Sequence, residues 1–451
     1  MNIIIVGCGK VGRELAAQLS KDNNDVTVVD INPDLVRNVS TLYDVMGVTG
    51  NGTSFEVLAQ AGVDHADVLI AVTRSDEVNL LCCVIARKAT KCFTIARVSN
   101  PVYSREYKYL SKELGISMIY NPAYGAAREI PSLFRFPSAL DIFTFAKNKA
   151  DLVRFRVPIN SPLKGTALKN IPSMIADKLL ICIAERDKKI IIPDGDYVIS
   201  AGDILSVVTY PEQMDAVFAN LGLRTDHIKN VLIVGGSKIT YPLVHMLTDQ
   251  NMKVTIIEKN PQRAKELAEL LPETTVLCGD GTDLAFLREE HLTRMDALLA
   301  STSNDEENII LSLFSRDMVR YKIVTKVDHL DDAAVIDRLD LDSLVSPKLI
   351  MTEMILKHVR AMGNSQGSNV ERLYKMADGS VEALEFYIQE GSPVANVRLS
   401  KLQLKPPVLV AGIVRDGNLI LPTGMDEIKA GDSVIIVTSI QGFRDVKDIL
   451  K

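Results

Sequence analysis

The sequence predicts an α/β protein made of two doubly wound, Rossmann-type parallel-sheet domains, each followed by a small α/β C-terminal domain. Three observations carry this expectation. The chain opens on a strand, a glycine loop, a helix and a second strand that ends on an acid. Short apolar strands alternate with helical segments behind that unit. The whole pattern then restarts at Asn230, the mark of an internal duplication.

Asn2 to Val6 (NIIIV) is an apolar, β-branched run with the character of a buried strand. It breaks at Gly7-Cys8-Gly9-Lys10-Val11-Gly12, a full G-x-G-x-x-G, and resumes as a helix with Leu15, Ala16 and Leu19 on one face. The next strand, Val26 to Val29, ends on Asp30. In this order Gly7 permits a tight turn, Gly9 lets backbone approach a pyrophosphate, and Gly12 lets helix and strand pack closely. The helix N-terminus offers unpaired N–H groups and a positive dipole end to phosphates. Asp30 stands where a carboxylate accepts both ribose hydroxyls of an adenosine. An acid there disfavours a 2′-phosphate, so NAD(H) or an adenine nucleotide is preferred over NADP.

Asn32-Pro33 supplies a cap and an N1 proline for the second helix. Further strands are expected near residues 45–49, 68–72, 93–97 and 116–120, with a helix over Val78 to Ala89. Asn51 and Gly52 end the third strand, close to where an adenine edge would lie. Thr73 and Arg74 follow the fourth, at the carboxyl edge where doubly wound folds bind ligands, and their hydroxyl and guanidinium suit phosphate or ribose oxygens. Lys10 adds charge to the loop. Cys8, with no base beside it, reads as a small packing residue.

The second copy repeats these landmarks. Asn230 to Val234 matches the first strand, and Gly235-Gly236-Ser237-Lys238-Ile239-Thr240 replaces the glycine loop. Glu258 stands as far from Gly235 as Asp30 does from Gly7. Gly279-Asp280-Gly281-Thr282 is the twin of Gly50-Asn51-Gly52-Thr53, Asn308 matches Asn79, and Lys326 takes the place of Arg97. Ser237 and Thr240 stand where the first loop has glycine, so backbone approach to a pyrophosphate is less free. Three readings of this pocket stay open: the same nucleotide bound more weakly, a different nucleotide, or a purely structural copy.

Between the large domains the pattern changes near Asn121-Pro122. Pro122 to Lys147 reads as a helical connector interrupted by Pro131 and Pro137. A smaller unit follows, with strands expected at 153–157, 180–185, 189–192 and 204–208, and Arg186-Asp187 as a turn. Its counterpart in the second half carries Arg415-Asp416-Gly417 and Gly431-Asp432 in matching places. The second connector, from Pro347, holds the most linker-like run in the chain, Gly363 to Ser368. The expected units are residues 1–123, 140–224, 228–348 and 368–451.

At 451 residues the chain exceeds a single core. A net charge of −6 argues against a nucleic-acid binder or an anionic-membrane binder. The longest apolar runs are strand length, which argues against membrane insertion, and the chain begins on a strand, so no signal peptide is expected. Six cysteines without a C-x-x-C pair read as reduced, mostly buried thiols.

Paired nucleotide-binding domains of this size, each followed by a small α/β domain, resemble regulator-of-potassium-conductance (RCK) domains. The tandem form, with IIIVGCGKVG, GNGTSFEVL and TRSDEVNLL, is similar over essentially the whole chain to the TrkA family, the cytosolic subunits of Trk potassium-uptake systems. The resemblance implies a regulatory subunit that binds NAD(H), and ATP or ADP, and so gates a membrane potassium transporter of the Trk type. It also implies a homo-oligomeric ring, a tetramer of tandem chains, lying in the cytoplasm against the inner face of the plasma membrane. By family position Arg97 becomes a phosphate contact.

A dehydrogenase is the main competing reading, since the same loop opens many of them. Such an enzyme needs a proton donor and a substrate clamp against the nicotinamide. The six histidines (65, 227, 245, 291, 329 and 358) form no convincing set, no H-E-x-x-H or G-x-S-x-G appears, and no metal site is indicated. The expectation is therefore a binding protein without catalysis. A nucleotide-sensing subunit of another cation channel or antiporter would share the fold.

Overall fold

The computed structural model describes residues 1–451 apart from 101–102, 104–105, 148, 172–178, 188, 224–225, 291, 329–338, 340, 365–369, 377–379 and 444. Six parallel strands form the first sheet: β1 (Asn2–Val6), β2 (Asp25–Asp30), β3 (Met46–Thr49), β4 (Val68–Ala71), β5 (Phe93–Arg97) and β6 (Met118–Tyr120). Their order is β3-β2-β1-β4-β5-β6, so the winding reverses between β1 and β4. Ile3 to Val6 and Val68 to Ala71 are buried, as strands covered by helices on both faces must be.

The crossovers are α1 (Lys10–Lys21), α2 (Pro33–Tyr43), α3 (Phe55–Gln60), α4 (Asp76–Ala89) and α5 (Tyr107–Leu114). The α1 helix turns Gly12, Leu15, Ala16 and Leu19 inward. The α2 helix starts as expected, with the Asn32 side chain accepting from the Asp34 and Leu35 N–H groups and Pro33 in the first turn.

After α6 (Pro122–Arg135) comes a five-stranded antiparallel sheet, β10-β9-β11-β8-β7, from β7 (Ala139–Phe145), β8 (Ala150–Arg156), β9 (Leu179–Arg186), β10 (Lys189–Ile191) and β11 (Ile204–Thr209). A short helix, α7 (Met214–Asn220), closes its core. The second half repeats the plan. Strands β12 (Asn230–Val234), β13 (Lys253–Glu258), β14 (Thr275–Cys278), β15 (Ala297–Ala300), β16 (Lys322–Lys326) and β17 (Ser343–Val345) run in the order β14-β13-β12-β15-β16-β17. Helices α8 (Thr240–Thr248), α9 (Pro261–Leu270), α10 (Leu284–Glu289) and α11 (Asp305–Ser315) cover them. After α12 (Pro347–Asn364), strands β18 (Val370–Met376), β19 (Val381–Tyr387), β20 (Val408–Arg415), β21 (Asn418–Ile420) and β22 (Ser433–Thr438) repeat the small sheet.

The halves are joined by an exchange of helices. α6 belongs to the first half in sequence, yet Ala126, Ala127, Ile130, Leu133 and Phe134 pack with Val231, Ile233, Leu243 and Leu247 of the second. In return Met351, Ile355, Leu356 and Val359 of α12 pack with Ile3, Ile5, Leu15 and Leu19 of the first. Arg360 of α12 pairs with Asp22 at the end of α1, Nε to Oδ2 2.8 Å. Fully buried Lys322 of β16 donates to the Ala139 carbonyl and pairs with Asp342. The two small sheets also face each other. Phe145, Leu152 and Ile183 of one meet Val381, Ala411 and Ile435 of the other, and the Glu385 carboxylate accepts from the Ala146 N–H.

Two expectations for the connectors are corrected. Residues 122–147 are not a broken helix: α6 runs unbroken through Pro131, and Ala139–Phe145 is a sheet strand. A proline inside a helix costs about 3 kcal/mol. Burying Ile130, Leu133 and Phe134 against the opposite half returns about 2 kcal/mol each, so packing wins. In the second connector, Gly363 and Asn364 finish α12, and residues 365–368 of the linker-like run lie outside the described residues. Among the described residues, no helix is long and apolar enough to cross a membrane.

Candidate functional site

The first glycine loop is held by steric necessity at two points. Gly7 has φ +111°, and a Cβ at Gly12 would stand 1.8 Å from the Gly7 carbonyl oxygen, so neither tolerates a side chain. Around Gly9 there is open space for 4 Å, which is the room a closely approaching ligand needs. Gly9 is the N-cap of α1 and offers no side-chain bond to the helix N–H groups. The positive dipole end of α1 therefore faces the loop without a cap from the Gly9 position.

Asp30 does structural work as well. Its Oδ2 accepts from the Cys8 N–H at 2.7 Å and its Oδ1 from the Asn32 N–H at 2.9 Å, which ties the glycine loop to the end of β2. Each oxygen keeps a further lone pair. Cys8 is buried, and its thiol is pushed up to about 12 by burial and then by the charge of Asp30, as a packing residue requires. Asn51 forms a turn, its Oδ1 accepting from the Thr53 N–H and hydroxyl. Gly52 is required by packing, since a Cβ would meet Val6 at 2.4 Å.

At the ends of β4 and β5 the organiser is Asn79, which the sequence shows only as a residue repeated in Asn308. Fully buried on α4, Asn79 accepts from the Thr73 N–H and hydroxyl at 2.8 and 2.7 Å, and donates to the Thr73 and Arg97 carbonyls. Arg97 donates to the Thr73 carbonyl and the Ser99 hydroxyl, so part of its guanidinium is committed to the fold. Arg74 is exposed. Asn308 repeats the arrangement at Thr302 and Lys326.

The second loop reaches the same curvature with different atoms. Gly235 has φ +106°, and the Thr240 hydroxyl donates to the Gly235 carbonyl at 2.8 Å. The loop is latched across the sheet by a 2.7 Å contact between the Ser237 and Ser301 hydroxyls. Lys238 and Ile239 lie in the turn that precedes α8, which begins at Thr240, whereas α1 already includes Lys10 and Val11. Glu258 accepts from the Gly236 and Asn260 N–H groups, as Asp30 does from their counterparts. At Gly236, the counterpart of Cys8, an added Cβ would stand 2.6 Å from Leu267 and 2.7 Å from Glu258 Oε2, so the position has no room for a side chain. Asp280 forms the same turn as Asn51 but also pairs with Lys259 at 2.6 Å. That hydrogen bond, with those from Thr282, holds its carboxyl down at about 2.

Residues of both loops meet in one cavity of about 760 Å³ at the joint between the halves. Gly9, Lys10, Val11, Arg74 and Arg97 line it from the first half. Gly235, Gly236, Ser237, Lys238, Ile239, Glu258, Asp280 and Lys326 line it from the second. The exchanged helices add Pro122 and Lys348 at their N-terminal turns. Gly7, Cys8, Asp30, Asn51, Gly52 and Thr73 do not line this cavity and stay on the first cleft's own loops. The sequence reading missed Lys348 and Asp328; only the fold brings them here. His291 and His329 lie outside the described residues. Among the described residues, no cluster of three His, Cys, Asp or Glu suits a metal ion.

Known proteins bear on this arrangement. The family model described as the TrkA-N domain matches residues 3–122 and 231–347, and that of the TrkA-C domain matches 152–222 and 383–451. The chain is 32% identical over 464 residues to "Trk system potassium uptake protein TrkA homolog 2" of Methanosarcina mazei, covering 100% of both. It is 31% identical to "Trk system potassium uptake protein TrkA" of Halomonas elongata, covering 100% of this chain and 99% of that one. The fold matches the crystal structure of the GsuK RCK domain with TM-score 0.60 at 18% identity, over 97% of this chain and 92% of the other. The GsuK channel bound to NAD gives TM-score 0.60 at 18% identity, over 97% and 76%. With a TrkA-N and a TrkA-C domain in each half, the chain belongs to the TrkA family.

Proposed function

We propose that this chain is a regulatory nucleotide-binding subunit that gates a membrane potassium-uptake transporter of the Trk type, with NAD(H), and ATP or ADP, as the signal. The observation that carries this reading is the cavity at the joint. Both glycine loops open toward helices exchanged between the halves, so a ligand there touches groups whose spacing depends on how the halves sit. A ligand that favours one arrangement by about 1.4 kcal/mol shifts the balance tenfold without any chemistry. Asp30 and Glu258 keep lone pairs for ribose hydroxyls, Gly9 leaves room for a pyrophosphate, and Arg74, Arg97 and Lys326 supply cations for phosphate. The potassium assignment rests on the names of the relatives, and the ring of four tandem chains on the same family resemblance.

Calorimetric titration of NADH, NAD, ATP and ADP into the full chain tests it, with Asp30→Ala and Glu258→Ala as controls. Binding should be micromolar or tighter for at least one nucleotide, and Asp30→Ala should weaken it at least tenfold. Nucleotide binding that neither substitution disturbs, or turnover of NADH with a small carbonyl compound, overturns the reading.

A further inference from the structure

Arg97 and Lys326 occupy equivalent strand ends, but the residues two places on differ in charge. In the first half Arg97 meets the Ser99 hydroxyl at 3.0 Å, a neutral partner. In the second half Lys326 meets the Asp328 carboxylate at 2.7 Å, and both side chains are largely buried. Asp328 also stands where charge from both halves converges. Its field reaches Arg97 of the first half and Lys348 of the exchanged helix α12, and Lys348 in turn feels Lys10 and Lys326. All five groups except Asp328 are cations, and all line the one cavity.

Asp76 also acts on Arg97 and Asp305 on Lys348, and Glu258, Asp280 and Glu307 line the same cavity, but Asp328 is the carboxylate that contacts Lys326 while its charge reaches both Arg97 and Lys348. A carboxylate so placed stands where a bound phosphate would, tethered to the chain. We propose that Asp328 is a built-in competitor that occupies a phosphate site shared by the two halves, formed by Lys10 and Arg97 of one and Lys326 and Lys348 of the other. A phosphate or pyrophosphate group of the ligand enters by displacing it. The site thus favours polyanionic ligands over neutral or singly charged ones, because only several charges outbid a tethered carboxylate. The inference rests on the nucleotide reading for the identity of the ligand, but not for the anion chemistry itself.

The fold tolerates removal of the charge. Asp328 donates its backbone N–H to the Asp305 carboxylate at 2.9 Å, and Ser99 makes the same bond to Asp76 at 2.8 Å. Serine at this position is therefore already compatible with the architecture, which makes Asp328→Ser the test substitution. Inorganic pyrophosphate and ADP are titrated into wild type, Asp328→Ser and Lys348→Ala as full chains. Asp328→Ser should bind both probes about tenfold more tightly, Lys348→Ala more weakly, and the gain should shrink at high salt. Unchanged or weaker binding of pyrophosphate to Asp328→Ser overturns the inference even if ADP binds normally elsewhere. Tighter pyrophosphate binding with no response to any nucleotide sustains it and overturns the nucleotide reading instead.

Discussion

In the first half the loop curves because Gly12 has no side chain to strike the Gly7 carbonyl; in the second, Thr240 hydrogen-bonds the equivalent carbonyl of Gly235. The first solution leaves α1 starting early, with open space at its uncapped first residue, Gly9. The second starts its helix later and latches Ser237 to Ser301. At the rim, neutral Asn51 and Ser99 of the first half become Asp280 and Asp328 in the second, each paired with a lysine. Duplication has therefore kept the scaffold and changed the charge that a ligand meets. The first loop is shaped by the absence of side chains, and the second by hydroxyl bonds of its own, Thr240 to Gly235 and Ser237 to Ser301.

The comparison can be broken most forcefully at the exchanged helices. Phe134→Ala removes a fully buried ring and should cost about 3–5 kcal/mol. The loss should appear in the second sheet, although the residue belongs to the first half, and hydrogen exchange of β12 and β15 reads it. Exchange raised only near residues 122–145 would contradict the packing.

Gly12→Ala comes next. A methyl group 1.8 Å from a carbonyl oxygen forces the loop apart, at about 3 kcal/mol or more. Thr240→Gly loses one hydrogen bond and some helix preference, about 1–2 kcal/mol. Urea unfolding of both variants checks the order, and equal losses would mean the two loops are not held by different means.

The smallest difference is one of pH. Asp280 sits below the ordinary carboxylate value, at about 2, because Lys259 and Thr282 hold its charged form. A depressed carboxylate adds stability that is present above its unfolded value near 4 and is lost as pH falls toward 2. Its pair with Lys259 is largely exposed, so the contribution is below about 1 kcal/mol. Asp280→Asn should lower the thermal midpoint at pH 5 by a degree or two and by clearly less at pH 2, where about half of the folded-state charge is lost. A drop of the same size at both values would assign the effect to packing.

Much of this was legible in the sequence for a physical reason. Strands β1 to β6, the caps at Asn32 and the glycine loop depend on neighbours close in the chain, and period and residue type report them directly. Asp30, Arg97, Glu258 and Lys326 end strands as their spacing indicates, whereas Lys10, expected in the glycine loop, begins α1. What stayed hidden depends on distant partners. Nothing local says that Pro131 will be carried inside a helix by another domain's sheet, or that Ala139–Phe145 will find β8 as a strand partner. The loss of glycine at position 240 reads as a defect until the fold shows its hydroxyl bonding back to Gly235. Asn79 and Asn308 were visible only as a repeat, because a buried amide that ties two strand ends has no sequence signature of its own.

The most direct test of the account is hydrogen exchange on the full chain with and without saturating NADH or ADP. The account predicts slowed exchange at the first glycine loop together with changed exchange in α6 and α12, the helices that each half lends to the other. Protection confined to one loop, with both exchanged helices unmoved, would contradict the claim that nucleotide binding is read out through the joint between the halves.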